Sequence, residues 1–271
     1  MNLSDAEPCA HRGDPTSDAS LGPVRFEVGA RGAILLVADG MGGRAGGAHA
    51  SGLAVKAIHA VMVDGGATTG HATASDFVDR LRQSVDEANR TIHEEAVRDD
   101  RYRGMGTTAT LAGIFGGVAY LAQVGDSRAY LVRGGQAIRL TRDQSLVQDM
   151  IDSGVLSEDD ARNVKNSMIL QALGTAATVR PELTFHELRR HDVLLLCSDG
   201  LSQVVRDEEI AALVSETPRC AELCDSLISM ANERGGPDNV TVLVARIRGD
   251  GLEPPLVTDA VGRQTYDPSH G

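Results

Sequence analysis

Three short turns that contain aspartate lie beside runs of apolar residues in this chain. They are Asp39 after the run 34–37, Asp199 after the run 193–196, and Asp238 before the run 240–244. A buried strand that ends at such a turn holds a carboxylate at the rim of a sheet. Hard divalent cations prefer oxygen ligands from carboxylates, backbone carbonyls and water. The pattern therefore favours a metal-dependent hydrolase, with the Gly40 carbonyl as a further ligand.

A pair of Mg²⁺ or Mn²⁺ ions would account for several acidic turns in one chain. Such ions lie about 3.5–4 Å apart and need several carboxylates, one of which can bridge both ions. A water between them ionises near neutral pH, so hydrolysis would need no serine or cysteine nucleophile.

Other interpretations of these turns remain open at this point. Asp39 could cap the following helix, and Asp199 and Asp238 could be ordinary turn aspartates. The segment Gly40-x-Gly42-x-x-Ala45 also fits a dinucleotide-binding fingerprint, with Asp64 at a suitable distance. A carboxylate at Asp39 would repel a pyrophosphate, and the strands that follow do not alternate with helices. We therefore favour the metal interpretation.

Two helices and a series of short strands follow the first turn. Apolar residues at helical spacing predict helices over 44–63 and 77–96. The connections within 107–140 are too short for a helical crossover, so the strands 107–115, 118–124, 128–132 and 136–140 are predicted to pair as an antiparallel meander. A flap-like insertion at 141–175 interrupts this series. Further strands at 193–197 and 240–247 enclose helices at 207–215 and 218–234.

This order predicts an α+β fold in which two antiparallel sheets pack face to face with helices outside each. The 271 residues are 42% hydrophobic, which suffices for a large core. The net charge of −12 argues against nucleic acid and anionic membranes as partners. No C-x-x-C pair, apolar signal core or membrane-spanning run is present. We expect a soluble, cytoplasmic protein.

Five motifs in order resemble the metal-dependent serine/threonine protein phosphatases of the phosphatase 2C type, in their bacterial branch. The motifs are Asp39-Gly40-Met41-Gly42-Gly43, Gly104-Met105-Gly106-Thr107-Thr108, Gly125-Asp126-Ser127-Arg128, Ser198-Asp199-Gly200-Leu201 and Gly235-Gly236-Pro237-Asp238-Asn239. The resemblance covers roughly residues 10–248. It implies a four-layer α-β-β-α sandwich and hydrolysis of phosphoserine and phosphothreonine on proteins.

The resemblance also implies roles for individual residues. Asp39 would bridge two Mn²⁺ or Mg²⁺ ions, Gly40 would add its carbonyl, and Asp199 and Asp238 would complete the pair. Asp126, together with Asp199, would hold a third ion. Metal-bound hydroxide would attack phosphorus without a phosphoenzyme. The partners would be a phosphorylated protein substrate and a Ser/Thr kinase or its targets, and we expect a monomer.

The resemblance and the composition together divide the chain into three parts. Residues 1–20 would contribute Asp18 to the metal site, residues 21–248 would form the catalytic domain, and residues 249–271, with three prolines and little apolar content, would be a disordered tail. The family's N-terminal acidic pair is reduced here, because Ser17 replaces the middle acid. Arg12 is a candidate phosphate-binding residue at an altered spacing, and Arg44 is an alternative candidate.

Two further positions depart from the family pattern. Met41 stands where animal members carry a histidine that donates a proton, and Gln144 replaces the histidine of an Asp-His-Ser segment. The departures at Ser17 and around Arg12 motivate a second hypothesis, in which the chain binds phosphoproteins without efficient turnover. A nucleotide-dependent oxidoreductase is a third hypothesis, which predicts stabilisation by NAD(P).

Overall fold

A computed structural model describes residues 27–64, 73–161, 168–255 and 264–266, together with Arg25 and Val164. Its strands are β1 (Ala33–Val37), β2 (Gly40–Met41), β3 (Gly106–Thr107), β4 (Ala109–Phe115), β5 (Val118–Val124), β6 (Arg128–Arg133), β7 (Gln136–Arg139), β8 (Glu182–Glu187), β9 (Val193–Cys197), β10 (Val242–Arg246) and β11 (Gln264–Thr265). Its α-helices are α1 (Gly43–Asp64), α2 (Ala74–Arg98), α3 (Leu146–Asp152), α4 (Glu158–Ala161), α5 (Asp199–Ser202), α6 (Asp207–Glu216) and α7 (Cys220–Glu233). A 3₁₀ turn at Asp100–Tyr102 follows α2.

The long strands form two antiparallel sheets. The five-stranded sheet has the order β1-β4-β5-β8-β11, and the four-stranded sheet has the order β10-β9-β6-β7. A small ladder joins β2 to β3 beside the first aspartate turn. The two sheets face each other across a layer of aliphatic side chains that includes Leu35, Leu121, Leu131, Leu194 and Leu196.

Helices cover the outer face of each sheet. Helix α2 begins with a capping box between Thr73 and Asp76, and its apolar stripe, which contains Phe77, Leu81 and Ile92, is buried against the five-stranded sheet. Helices α6 and α7 bury Ile210 and other apolar residues against the four-stranded sheet. The predicted α-β-β-α sandwich is therefore confirmed.

The meander predicted from the short connections is wrong at one point. Strands β4 and β5 form a hairpin, as do β6 and β7, but β5 and β6 belong to different sheets. The chain crosses from one sheet to the other through Gly125, Asp126 and Ser127. The crossing places Asp126 at the rim shared by both sheets instead of at the tip of a hairpin.

Two strands of the five-stranded sheet were not expected from the sequence. Strand β8 follows the flap-like insertion and pairs with β5 across the centre of the larger sheet. Strand β11 pairs with β8, and Tyr266 packs edge-on against Tyr120 and Phe185. In contrast to the predicted disorder of 249–271, residues 264–266 thus add a strand to the sheet. Within the described ranges, no helix combines the length and apolar character needed to cross a membrane.

Candidate metal centre

Asp39 lies two residues beyond the end of β1, and two threonines hold its backbone. Its N–H donates to Thr108 Oγ1 at 2.9 Å, and its carbonyl accepts from the Thr108 N–H at 2.8 Å. The Thr107 hydroxyl donates to the same carbonyl at 2.9 Å. The Gly-x-Gly-Thr-Thr motif therefore has a definite structural role, because it fixes the backbone from which the Asp39 carboxylate projects.

The glycines after Asp39 permit close contact with α1. A Cβ at Gly40 would lie 2.0 Å from the carbonyl oxygen of Gly47, so the turn requires glycine. Gly40 and Met41 pair with β3, and β1 pairs antiparallel with β4. Dinucleotide-binding fingerprints belong to parallel strand–helix–strand units. This architecture excludes the dinucleotide interpretation of the glycines.

Asp126 lies in the crossing between the sheets. Gly125 before it has a φ of +98°, and a Cβ there would lie 2.7 Å from Thr108 Cγ2. The hydroxyls of Thr108 and Ser127 are 2.8 Å apart, so Thr108 contacts the turns of both Asp39 and Asp126. These hydrogen bonds keep the two carboxylates at one end of the sandwich.

Asp199 and Asp238 reach the same end from neighbouring strands. Strand β9 ends at Cys197, which pairs with Val242 at the start of β10. Ser198 Oγ donates to the Asn239 carbonyl at 3.1 Å and accepts from the Thr241 N–H at 2.9 Å. The second and third aspartate turns are thus joined to each other.

Gly200 allows the tight contact between these two turns, and we predict that Gly200→Ala separates them. The new Cβ would lie 2.3 Å from the Asn239 carbonyl oxygen. We expect the free energy of unfolding measured in urea to fall by about 1–3 kcal/mol. We also expect Mn²⁺ binding to weaken. Gly52→Ala in α1 is the matched control, because nothing lies within 4 Å of its added Cβ. Unchanged stability and Mn²⁺ affinity in Gly200→Ala would contradict this account.

The four aspartates act on one another electrostatically. Burial raises the pKa of Asp39 to about 7, and Asp199 is the strongest charged contributor. Burial likewise raises the pKa of Asp126 to about 7, again with Asp199 as the strongest charged contributor. The pKa of Asp199 is raised by burial and then by Asp238. Like charges in a partly dry site favour either protons or a cation as neutralising partner.

The donor set fits a hard divalent cation. Asp199 Oδ2 accepts from Gln203 Nε2 at 2.6 Å, but Asp199 Oδ1 is buried without a hydrogen-bond donor. The neighbouring Asp39 carboxyl group can donate a hydrogen bond to Asp199 only while it is protonated, so this contact is lost when both carboxylates are ionised. Among the described residues, however, no three acidic, histidine or cysteine side chains are close enough together to hold a metal ion by themselves. As described, the cluster is therefore an open group of carboxylates and not a closed metal-binding set.

Several predicted site residues lie outside this description. Arg12 and Asp18 are among the residues that the structure does not describe, and only the backbone of Arg44, in the first turn of α1, is described. Met41 is partly exposed beside the cluster, with 38% of its surface accessible. Sequence reasoning missed Gln203 as a contact of Asp199, although its position four residues later on a helix was a usable signal.

A family model described as protein phosphatase 2C matches residues 7–240. The chain belongs to the protein phosphatase 2C family. The resemblance of the five motifs is thereby confirmed, and the acidic cluster of this phosphatase 2C chain lies in the part that the family model matches.

Relatives of this phosphatase 2C chain occur in several bacteria. It is 39% identical over 215 residues to the serine/threonine protein phosphatase PstP of Mycobacterium tuberculosis. This match covers 79% of this chain but only 40% of the length of PstP. It is 36% identical over 212 residues to the serine/threonine phosphatase stp of Listeria monocytogenes, and this match covers 78% of this chain and 83% of that protein. The solved catalytic domain of PstP in complex with two manganese ions superposes with a TM-score of 0.70 at 35% identity, covering 83% of this chain and 94% of that one.

Proposed function

We propose that this protein hydrolyses phosphoserine and phosphothreonine on protein substrates with Mn²⁺ or Mg²⁺ as cofactor. The observation that carries the proposal is the cluster of Asp39, Asp126, Asp199 and Asp238, in which Asp199 Oδ1 is buried without a donor. The manganese ions in the PstP structure support the choice of metal. The protein would act in the cytoplasm as a monomer on targets of a Ser/Thr kinase.

Each aspartate has a proposed role at this centre. Asp39, Asp199 and Asp238, with the Gly40 carbonyl, would hold two ions. Asp126, with Asp199, would hold a third ion, and Asp18 would contribute from the N-terminal segment. Two divalent ions would lower the pKa of a water and neutralise charge on the phosphoryl oxygens.

The chain's own residues hold these ligands in place. Thr107 and Thr108 fix the backbone of Asp39, and Ser198 fixes the Asp199 turn against the Asp238 turn. A preformed ligand set needs little reorganisation during the reaction. Met41 has no proton to donate, so the leaving oxygen must take its proton from another group. Arg12 and Arg44 are the proposed contacts for the phosphate.

Hydrolysis of a phosphothreonine peptide with added Mn²⁺ tests the proposal. We expect phosphate release that EDTA abolishes and that Mn²⁺ restores, because the acidic cluster needs a cation to activate water. Turnover that survives complete chelation would contradict the mechanism. Mn²⁺ binding measured by calorimetry without turnover on any phosphopeptide would instead support the phosphoprotein-binding hypothesis.

A further inference from the structure

Gln144 contacts the turn that carries Asp126 on both sides of Gly125. Its Oε1 accepts from the Gly125 N–H at 2.9 Å, and its own N–H donates to the Gly125 carbonyl at 2.9 Å. Its Nε2 also donates to the carbonyl of Gln123 at 3.2 Å. One glutamine therefore hydrogen bonds to the backbone immediately before Asp126.

This turn depends on side chains because no strand pairs with it. The chain changes sheets here, so the backbone between β5 and β6 lacks the hydrogen bonds of a hairpin ladder. Gln123 Nε2 binds the carbonyls of Gly125 at 3.0 Å and Ser127 at 2.7 Å. The backbone on either side of Asp126 is thus held largely by glutamine and hydroxyl contacts.

The same glutamine binds segment 168–171 of the flap-like insertion. Its carbonyl accepts from the Leu170 N–H at 2.8 Å, and its Oε1 accepts from Gln171 Nε2 at 2.9 Å. Ser145 and Ile169 form an antiparallel bridge beside it. Gln144 Oε1 thus accepts from both Gly125 and Gln171, so a displacement of segment 168–171 removes contacts of the same residue that holds Gly125.

We propose that Gln144 is a positioning residue that holds Asp126 in the metal site and makes its position depend on segment 168–171. Displacement of the segment weakens cation binding at Asp126, and a bound cation favours the docked segment, because the coupling between two sites is reciprocal. The inference rests on the proposed function, since it takes Asp126 as a metal ligand.

Mn²⁺ titration calorimetry on the full chain tests this inference. Gln144→Met keeps the volume but removes the side-chain hydrogen bonds, and we expect the weakest class of Mn²⁺ sites to bind roughly tenfold less tightly, as when an outer-shell partner of a ligand is lost. Gln171→Met leaves the contacts of Gln144 to Gly125 intact but removes the side-chain contact of Gln144 to segment 168–171, together with two bonds to the backbone of Arg180. We expect it to weaken the same class of Mn²⁺ sites by less than Gln144→Met does.

Gln148→Met is the matched control. Gln148 is a buried glutamine of the same insertion, but its side chain bonds Arg139 and Asp152 instead of the Asp126 turn. We expect its Mn²⁺ affinities to equal those of the unmodified protein. A loss as large as that of Gln144→Met would show a general loosening of the insertion and would overturn the inference.

Asp126→Asn separates failure of the inference from failure of the proposed site. If Asp126→Asn leaves Mn²⁺ binding unchanged, Asp126 is not a ligand, and the proposal of a third ion is wrong. If Asp126→Asn removes the weak class but both glutamine variants bind Mn²⁺ normally, only the inference is wrong. In the Asp126→Asn background, Gln144→Met should cause no further loss.

Turnover at rising Mn²⁺ concentration gives a second readout. A positioning role predicts that excess Mn²⁺ restores the activity of Gln144→Met, whereas a merely structural defect would lower activity at every concentration. Should Gln144→Met fail to fold, Gln171→Met carries the test, because the Gln171 side chain bonds Gln144 and the backbone of Arg180 instead of the Asp126 turn. Unchanged Mn²⁺ affinity in a folded Gln171→Met would then overturn the coupling.

Discussion

Asp39→Asn should lower kcat/KM for a phosphopeptide by roughly a thousandfold, equivalent to about 4 kcal/mol of transition-state stabilisation. The reason is that Asp39 is the proposed bridging ligand, and an amide carries no charge to hold two cations together. Initial rates across a range of Mn²⁺ concentrations measure the loss. Asp199→Asn should act in the same direction, and the double variant should lose little more than the worse single one, because both remove the same centre.

The stability of Asp39→Asn separates lost chemistry from lost folding. In EDTA, we expect its melting temperature to equal or exceed that of the unmodified protein, because the substitution removes one charge from a group of like charges. Asp250→Asn, in an exposed loop, is the control and should change neither rate nor stability. Near-normal turnover in Asp39→Asn and Asp199→Asn together would rule out the proposed mechanism.

Arg133→Met should destabilise the fold by about 3–5 kcal/mol, the usual cost of removing one partner from a buried ion pair. Arg133 Nε and Nη2 donate to the two carboxylate oxygens of Asp192 at 2.8 and 2.7 Å. Only 9% of the Arg133 side chain and 1% of the Asp192 side chain are exposed. The substitution leaves the Asp192 carboxylate buried, with the Arg189 N–H as its remaining donor among the residues that the structure describes. Urea unfolding measures the loss.

Two comparisons sharpen this prediction. Adding Asp192→Asn to Arg133→Met should recover part of the lost stability, because the buried charge is then removed as well. Arg90→Met breaks exposed ion pairs with Glu87 and Glu94 and should change stability little. Equal effects of Arg133→Met and Arg90→Met would show that burial does not control the strength of these pairs.

Local periodicity was sufficient for the elements that bury a single continuous stripe. Helix α2 has apolar residues at helical spacing, and the structure buries that stripe. Strands β4 and β5 are apolar runs separated by Gly116-Gly117, and they form the predicted hairpin. In both cases the residues that are apolar in the sequence are the ones that the structure buries against a neighbouring element.

Periodicity failed where the partner surface lies far away in the chain. Strand β8 alternates Leu183 and Phe185, which pack towards the helices, with Thr184 and His186, which are buried on its other face. Buried polar side chains interrupt the apolar signal, so the strand was not recognised. The separation of β5 from β6 was missed because a three-residue connection can either close a hairpin or cross between packed sheets.

The sequence by itself determined the family, the layered α-β-β-α fold and the order of the aspartate turns, because these follow from motifs and local apolar patterns. Only the tertiary structure decided that Thr108 joins the turns of Asp39 and Asp126, that Ser198 joins those of Asp199 and Asp238, and that Gln144 holds the crossing. These contacts connect residues tens of positions apart, and hydrogen bonds of that kind depend on how the two sheets pack, which no local pattern encodes.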